Sequence, residues 1–390
     1  MNAMMTSQPT KSADLACQWQ WQQQNTITSI EKLIEVFPGL SDQTYNAITE
    51  HLKSRRLRIT PHILKQIRRT EDNSAPLLDD PIWRQLIPFW NTEGETNYSY
   101  DGHTENWEMP HEMVTPIGQH KYDNRIIVRL SNVCHSYCQF CYESLRTLEK
   151  KSSKLPLQQK HWQDTITYVR NNPAIEEVVL SGGEPLMHGD DILEEVLKDL
   201  RSFDRWIAIR IHTRALTFNP FRITDSLVEL FKRYNLNSLG VHVAHPQEIT
   251  PEFCEAAKRL QTATPIMFAN IPLLRSINDD SKTMHELCMK LYGIGIIPHY
   301  LYHFMPHSPG SQQFRTSVQK GVDIIASLKR RISNLAVPEF VLPHHTGKHT
   351  VPLLRENEVP FSYDVDNQGN AFVRYTNWEG NLIEYPDMME

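Results

Sequence analysis

Three cysteines fall within eight residues, in the run Arg129-Leu-Ser-Asn-Val-Cys134-His-Ser-Tyr-Cys138-Gln-Phe-Cys141-Tyr142. Thiolates are soft ligands suited to zinc and to iron–sulfur clusters. The C-x3-C-x2-C spacing puts all three on one loop. There they can bind three irons of a cubane and leave the fourth open to a ligand that chelates through an amine and a carboxylate. The alternative is zinc, but zinc wants a fourth tetrahedral ligand. His135 is the one near candidate, and the spacing is not that of a finger. The remaining cysteines of the six, Cys17, Cys254 and Cys288, are scattered, which does not read as a disulfide framework.

Two further segments could carry chemistry. In Val178-Val-Leu-Ser181-Gly182-Gly183-Glu184-Pro185-Leu186 an apolar run ends in a double glycine. Such a turn lets backbone approach a ligand closely, and its carbonyls can accept from an ammonium, although alone it is more often a plain strand–helix connection. Gly347-Lys348 offers an uncrowded amine of the kind that forms imines with carbonyl compounds, or else an ordinary surface turn.

The elements that must position these groups follow from periodicity. Residues 1 to about 105 read as helical, with apolar residues at three- and four-residue spacing in Ser29–Phe37, Asp42–Leu57 and Thr60–Arg69. From about residue 125, short β-branched runs alternate with amphipathic stretches. The strands expected are Arg125–Ser131, Glu177–Ser181, Ile207–Thr213, Ser238–Ala244, Pro265–Leu273 and Ile296–His303. Helices are expected near 158–171, 190–203, 223–234, 250–261, 281–292 and 316–330. Strand–helix alternation implies an α/β fold with a parallel sheet and right-handed crossovers. Six units predict an incomplete (βα)6 barrel with chemistry at the C-terminal strand ends. Turn signals at Asn367–Gly369 and Glu379–Asn381 predict a β-rich tail. The organisation expected is a helical region over 1–105, a partial barrel over 106–335, and a lysine loop with the tail over 336–390.

Composition narrows the function classes. The 390 residues are 40% apolar, enough for one large core plus an appended lobe. A net charge of −6 without a basic stripe gives no nucleic-acid footprint. No apolar run is long enough to span a bilayer, and the polar N-terminus lacks a secretory signal, so a cytoplasmic protein is expected.

The cysteine spacing, with Phe140 before the third cysteine, resembles the signature of radical S-adenosylmethionine (SAM) enzymes, and the Gly182–Gly183 turn resembles the one that holds the amino group of SAM. The likeness narrows with His120-Lys121-Tyr122-Asp-Asn-Arg125, Arg210-Ile-His212-Thr-Arg214, His242-Val-Ala-His245, Leu273-Leu-Arg275, Pro298-His-Tyr300-Leu-Tyr302, Phe314-Arg315, Trp19-Gln-Trp21, Trp378-Glu-Gly380 and Tyr385-Pro386. Together these resemble the lysine 2,3-aminomutase family over nearly the whole chain. The resemblance implies an isomerase that uses a [4Fe–4S] cluster on Cys134, Cys138 and Cys141, SAM, and pyridoxal 5′-phosphate (PLP). In that family a 5′-deoxyadenosyl radical abstracts a hydrogen and nitrogen moves to the adjacent carbon, while PLP acts as a radical-stabilising carrier. It also implies a small-molecule amine substrate and an electron donor such as flavodoxin or ferredoxin. A homo-oligomer is compatible with it.

By the same resemblance Lys348 holds PLP, and Lys121, Tyr122 and Arg125 gather at its phosphate. Gly182, Gly183, Glu184 and Pro185 form the turn for SAM, and Asn270 replaces a family glutamine that contacts SAM. Arg214, His212 and His242 lie at C-terminal ends or inner faces of their strands, where they could face the same cavity as cofactor-binding residues or be packed, hydrogen-bonded residues. The chain departs from the family where substrate binds. The two aspartates that lysine-specific members use are absent; the matching stretches are His303-Phe304-Met305-Pro306 and Leu342-Pro343. Glu143 stands where the family has an arginine for the substrate carboxylate, and Gln139 replaces another arginine. Arg129, on a core strand, needs a counter-charge, which Glu143 can supply. Glu143, Arg129 and Met305 are thus the candidate substrate residues, and lysine is not the expected substrate. Competing readings are a radical SAM and PLP enzyme with another outcome, elimination or carbon–carbon cleavage, and a non-catalytic SAM-binding relic.

Overall fold

The computed structural model describes residues 15–90, 109–148, 159–305, 308, 310–329, 331–344, 347–351, 362–377 and 379–387. Residues 1–14 and 91–105 of the expected helical region, Pro306, His345, Thr346 and Trp378 lie outside the described residues.

The N-terminal region opens with short helices: α1 (Trp19–Gln24), α2 (Ile30–Val36), α3 (Asp42–His51), α4 (Pro61–Leu64) and α5 (Pro81–Leu86). Ser29 and Ser41 cap α2 and α3 through side-chain oxygens that accept from Lys32 and Thr44 amides. Two of these helices are shorter than their periodicity predicts. α3 stops at His51 rather than Leu57, and α4 covers only Pro61–Leu64 of Thr60–Arg69. The lost turns are used for tertiary bonds. The Arg56 and Arg58 side chains donate to the Thr147 and Gln23 carbonyls, and Ile27 bridges to Ile59. Leu33, Phe37, Ile48, Ile59, Ile63 and Trp83 bury together beneath these turns.

The central sheet has nine strands in chain order. They are β1 (Gly118–Tyr122), β2 (Arg125–Ser131), β3 (Glu177–Gly182), β4 (Ala208–Thr213), β5 (Ser238–His242), β6 (Ile266–Leu273), β7 (Ile297–His303), β8 (Glu339–His344) and β9 (Gly347–Thr350). β2 through β8 run parallel; β1 and β9 close the two edges antiparallel. A short helix α6 (Ser144–Thr147) follows the cysteine loop. The crossovers pass through α7 (Gln159–Asn171), α8 (Asp190–Arg201), α10 (Asp225–Arg233), α11 (Pro251–Gln261), α12 (Ser281–Gly293) and α14 (Val318–Leu328). Two single-turn helices, α9 (Ala215–Phe218) and α13 (Ser311–Phe314), sit in the loops after β4 and β7. This is the expected partial barrel of six strand–helix units. β8 adds a parallel strand that the sequence reading did not assign, and β9 returns from it as a hairpin carrying Lys348.

The strands form because their apolar residues alternate or run continuously against the helices. In β4, Ile209 and Ile211 bury in the helix-side core, which sends Arg210 and His212 to the opposite face. In α8, Leu193, Val196, Leu197 and Leu200 make the matching stripe. Each such aliphatic contributes about 1.5–3 kcal/mol of burial.

A second, three-stranded antiparallel sheet holds β10 (Ser362–Val365), β11 (Ala371–Thr376) and β12 (Leu382–Pro386). Its turns fall at the predicted signals, where Gly369 and Gly380 take left-handed φ values of 83° and 87°. No helix among the described residues is long and apolar enough to cross a membrane.

α14 packs on β8 through a missing side chain. A Cβ at Gly321 would lie 2.2 Å from Cζ of Phe340, whose ring is buried. In an open helix, Gly to Ala gains about 1 kcal/mol. Here we expect Gly321→Ala to lose about 1–3 kcal/mol through overpacking, read by urea denaturation. Equal or higher stability would show that α14 does not press on β8.

Candidate active site

One cavity opens at the C-terminal ends of the strands, and most of the sequence-predicted residues line it. Cys134, Cys138 and Cys141 form one wall. Their loop leaves β2 and is held from both sides. On the barrel side the Glu184 amide donates to the Val133 carbonyl (3.0 Å), and the Gly183 amide donates to the Ser131 carbonyl. A Cβ at Gly183 would sit 2.8 Å from both N and O of Val133, and Gly182 has φ of 119°, so both glycines are required by backbone contact. On the N-terminal side Tyr137 N donates to Arg58 O (2.9 Å) and Gln139 N to Gln85 O (2.8 Å), while the Ser136 hydroxyl accepts from Thr60 N (3.0 Å).

The three thiols crowd one another, with Arg214 Nη1 donating to Cys138 Sγ at 2.8 Å. Burial, then the neighbouring Cys141 and Cys138, then Glu184, push Cys134 well above its ordinary range. Cys138 is also raised by burial, against the pull of Arg214. Binding metal removes such protons, so this donor set suits a positively charged iron core. His135, the nearby alternative ligand, is buried and does not line the cavity. Its Nδ1 faces Asn219 Nδ2 at 3.4 Å, and burial lowers its pKa to about 3.

At the opposite end Lys348 reaches in from β9. Its ammonium sits 4.9 Å from the Tyr300 ring centre and 5.4 Å from that of Tyr302. The residue is exposed along its length, but the surrounding chain strips water from the amine. That desolvation, followed by the charges of Arg210 and Arg125, brings its pKa down to about 8. Arg125 and Arg210 share Glu177, at 3.9 and 2.9 Å, so this end keeps positive charge in excess. Buried polar atoms without partners belong to this group: Tyr122 Oη, Arg125 Nε and Arg210 Nε. An unmet buried donor costs about 1–3 kcal/mol. A phosphate dianion would satisfy such donors and match their charge.

Between the ends, His212 on β4, His242 on β5 and Asn270 on β6 line the cavity. His242 Nε2 and His212 Nδ1 are 3.4 Å apart. Burial takes His242 down to about 4 and His212 well below its ordinary value, so both rings are neutral near pH 7. His212 Nε2 and Asn270 Oδ1 are buried without partners and suit the polar groups of a nucleoside or amino-acid moiety.

Several sequence expectations change. Lys121 does not line the cavity; its ammonium meets Glu112 Oε1 at 2.7 Å on the far side of β1. Arg210 stands in its place beside Arg125. Pro185 is buried in the turn and does not line the cavity. Glu184 does, but its oxygens accept from Thr213 Oγ1 (2.7 Å), Arg214 N (2.7 Å) and Leu186 N (3.0 Å), which makes it a brace for the turn. Arg214 lines the cavity, with its guanidinium donating to Cys138 Sγ, Gln85 Oε1 and Glu248 Oε2. Arg129 also lies off the cavity wall. Its Nε donates to Glu143 Oε1 and Oε2 at 3.0 and 3.2 Å, and Arg146 Nη1 reaches Oε2 at 3.1 Å. Glu143 and Met305 line the wall. Sequence reasoning carried Arg210, Tyr300 and Tyr302 without a role and gave His299 none; all four line the cavity. The signal was period-two spacing: Arg210 lies two residues from His212, and Tyr300 two from Tyr302.

A model of the radical SAM superfamily matches residues 128–288. The chain is 31% identical over 369 residues to L-lysine 2,3-aminomutase of Clostridium subterminale, covering 95% of this chain and 84% of that protein. It is 30% identical over 372 residues to glutamate 2,3-aminomutase of Clostridioides difficile, covering 95% and 82%. Among solved structures, a radical SAM methyltransferase from Sphaerobacter thermophilus gives a TM-score of 0.39 at 17% identity, over 57% of this chain and 67% of that one.

If the three thiols hold one cubane, anaerobic reconstitution should load about four iron and four sulfide per chain. Cys134→Ala, Cys138→Ala and Cys141→Ala should each lose that cluster and the 5′-deoxyadenosine it produces from SAM. Continued cleavage by the triple variant would overturn the assignment.

Proposed function

Because the chain belongs to the lysine 2,3-aminomutase family of radical SAM enzymes, we propose that it moves an amino group between adjacent carbons of an amino-acid-like substrate other than lysine. The observation that carries this reading is that the thiol triad and Lys348 line one cavity. The cluster and SAM come with the superfamily and supply the 5′-deoxyadenosyl radical when bound. PLP, which we assign to Lys348, would hold the substrate amine and stabilise the radical.

The chain's own residues have distinct tasks in this proposal. Lys348, with its pKa near 8, keeps a substantial neutral fraction for attack on a carbonyl. Arg125, Arg210 and Tyr122 would hold a phosphate. Gly182 and Gly183 line the same cavity as the thiols, and Asn270 and His212 offer unmet polar atoms in it. Tyr300 and Tyr302, beside Lys348, and Phe268 line the cavity with rings that would exclude water. We retain the division at 105/106 and 335/336, with β8 and β9 as an extension of the barrel sheet.

The carboxylates that line the cavity among the described residues are Glu143 and Glu184, and both are engaged. A distal ammonium would find no free partner and would forgo a charge-assisted bond of about 1.5–3 kcal/mol. The stretches that hold the family's aspartates contribute His303, Phe304, Met305 and Pro343 to the cavity wall. A substrate carboxylate placed about 4 Å from Glu143 would be repelled by roughly 4 kcal/mol at an effective dielectric near 20. Arg129 and Arg146 both bond Glu143, so these three groups together carry one positive charge, which offsets that repulsion.

Reconstituted enzyme should be incubated anaerobically with SAM, reductant, PLP and a panel of amino acids. We expect a product of unchanged mass from a substrate other than lysine. A lighter product would favour elimination or cleavage, and absence of 5′-deoxyadenosine with every amine would favour a relic. Efficient turnover of free lysine, or a Glu143→Gln variant with unaltered turnover of the native substrate, would overturn the pocket assignment.

Lys348 also predicts a pH dependence. Attachment of PLP needs the neutral amine, whose fraction drops about tenfold per pH unit below the pKa. The rate of attachment, followed by visible absorbance, should therefore rise with pH and level off above about 8. Borohydride should fix the label on Lys348. A flat profile, or label on another lysine, would move the site.

A further inference from the structure

Arg214 was expected at SAM, but its charge is directed at the metal loop. Nη1 donates to Cys138 Sγ at 2.8 Å. Nη2 donates to Gln85 Oε1 at 2.6 Å and to Glu248 Oε2 at 2.9 Å. The guanidinium lies between the rings of Phe218 and Phe140, at 4.6 and 5.3 Å from their centres. Glu248, buried, braces the arrangement by accepting from the amides of Ala244 (3.1 Å) and His245 (2.9 Å) and from Gln85 Nε2 (2.9 Å). Gln85 in turn accepts the Gln139 amide, one residue after Cys138. The bracket therefore joins the β4 and β5 loops, the N-terminal helices and one cluster ligand.

We propose that Arg214 and Glu248 form an opposed charge pair that sets the reduction potential of the cluster bound through Cys138. The inference rests on the cluster assignment above. Reduction brings one electron into the cluster from a low-potential donor and adds negative charge next to the thiolates. A cationic N–H donor on a ligand sulfur stabilises the reduced form and raises the potential. Phe218 and Phe140 keep water from the guanidinium, so its field is weakly screened. Glu248 lies on the far side of the same guanidinium. Its negative charge acts on the cluster from a greater distance and cancels part of the effect. The pair lets the fold place a cation on Cys138 in a buried site without leaving that cation uncompensated. Arg214 is thereby a positioning and tuning residue; the sulfur, not substrate, is what it touches.

The two charges make predictions of opposite sign, which a structural role alone does not. The test is an EPR-monitored redox titration of reconstituted full-length protein without SAM, with iron and sulfide counted in every sample. Arg214→Met should lower the midpoint potential relative to wild type, and Arg214→Lys should lower it less, because the charge remains while the fork geometry is lost. Glu248→Gln should raise it. Potentials equal to wild type in Arg214→Met and Glu248→Gln, at full iron content, would overturn the proposal. So would shifts of the same sign in both. If Arg214→Met fails to hold a cluster, Glu248→Gln and Arg214→Lys decide, and the absence of a rise in the former overturns the proposal. A wild-type protein that binds no cluster would instead sink the cluster assignment itself, which the iron count reports independently.

Discussion

The backbone of the cysteine loop and the backbone of the glycine turn touch, and no side chain fits between them. A Cβ on Gly183 would overlap both N and O of Val133, and one on Gly182 would press on Ser131 O. From that contact the rest of the site follows in bonded steps. Gly183 and Glu184 donate to the loop, the Glu184 carboxylate accepts from the Arg214 amide and Thr213 hydroxyl, and Arg214 turns back to Cys138. The ends of β2, β3 and β4 are thus tied in a ring around the thiols. A loop that presented three ligands to one cofactor would need this kind of rigidity, because small displacements of supporting groups are felt at a metal.

The N-terminal helices complete the same device from outside. A loop buried on both faces must satisfy its peptide groups with something other than water. Arg58 O, Gln85 O and the Thr60 amide take the bonds of Tyr137, Gln139 and Ser136. The region is therefore the outer wall of the cysteine loop. Its helices are short because the segments between them run extended past the loop, where a helix would have consumed the same amides internally.

The parts that were legible in the sequence are those fixed by local constraint. The cysteine spacing and the double glycine act through backbone reach, and the β-branched runs of β2 to β7 through burial against amphipathic helices. Arg129 was legible for an electrostatic reason: an arginine on a core strand requires an anion, and Glu143 supplies it at 3.0 Å. The illegible parts depended on a choice among distant partners. Lys121 could have met a ligand or Glu112; next to an irregular β1–β2 register, it pairs with Glu112. Arg214 could have reached a ligand, but Gln85, 129 positions away, and Glu248 hold it on Cys138. β8 has a short apolar run, Phe340-Val341-Leu342; it pairs in parallel with β7, and Phe340 packs against Gly321.

Charge is distributed along the cavity in a way that suits radical chemistry. One pole holds the thiols with Arg214, and the other holds Arg125, Arg210 and Lys348 around Glu177. The middle is nearly uncharged. His212 and His242 are neutral because burial disfavours their protonation, and His299 is lowered for the same reason. Phe268 stacks edge-on between His212 and His299, at 5.8 and 5.3 Å. A carbon radical carries no net charge, so ion pairs beside it would add little to its stability. What it needs is placement, and neutral rings packed edge to face supply it without adding charge. The poles can then bind charged cofactor groups strongly without polarising the segment between them.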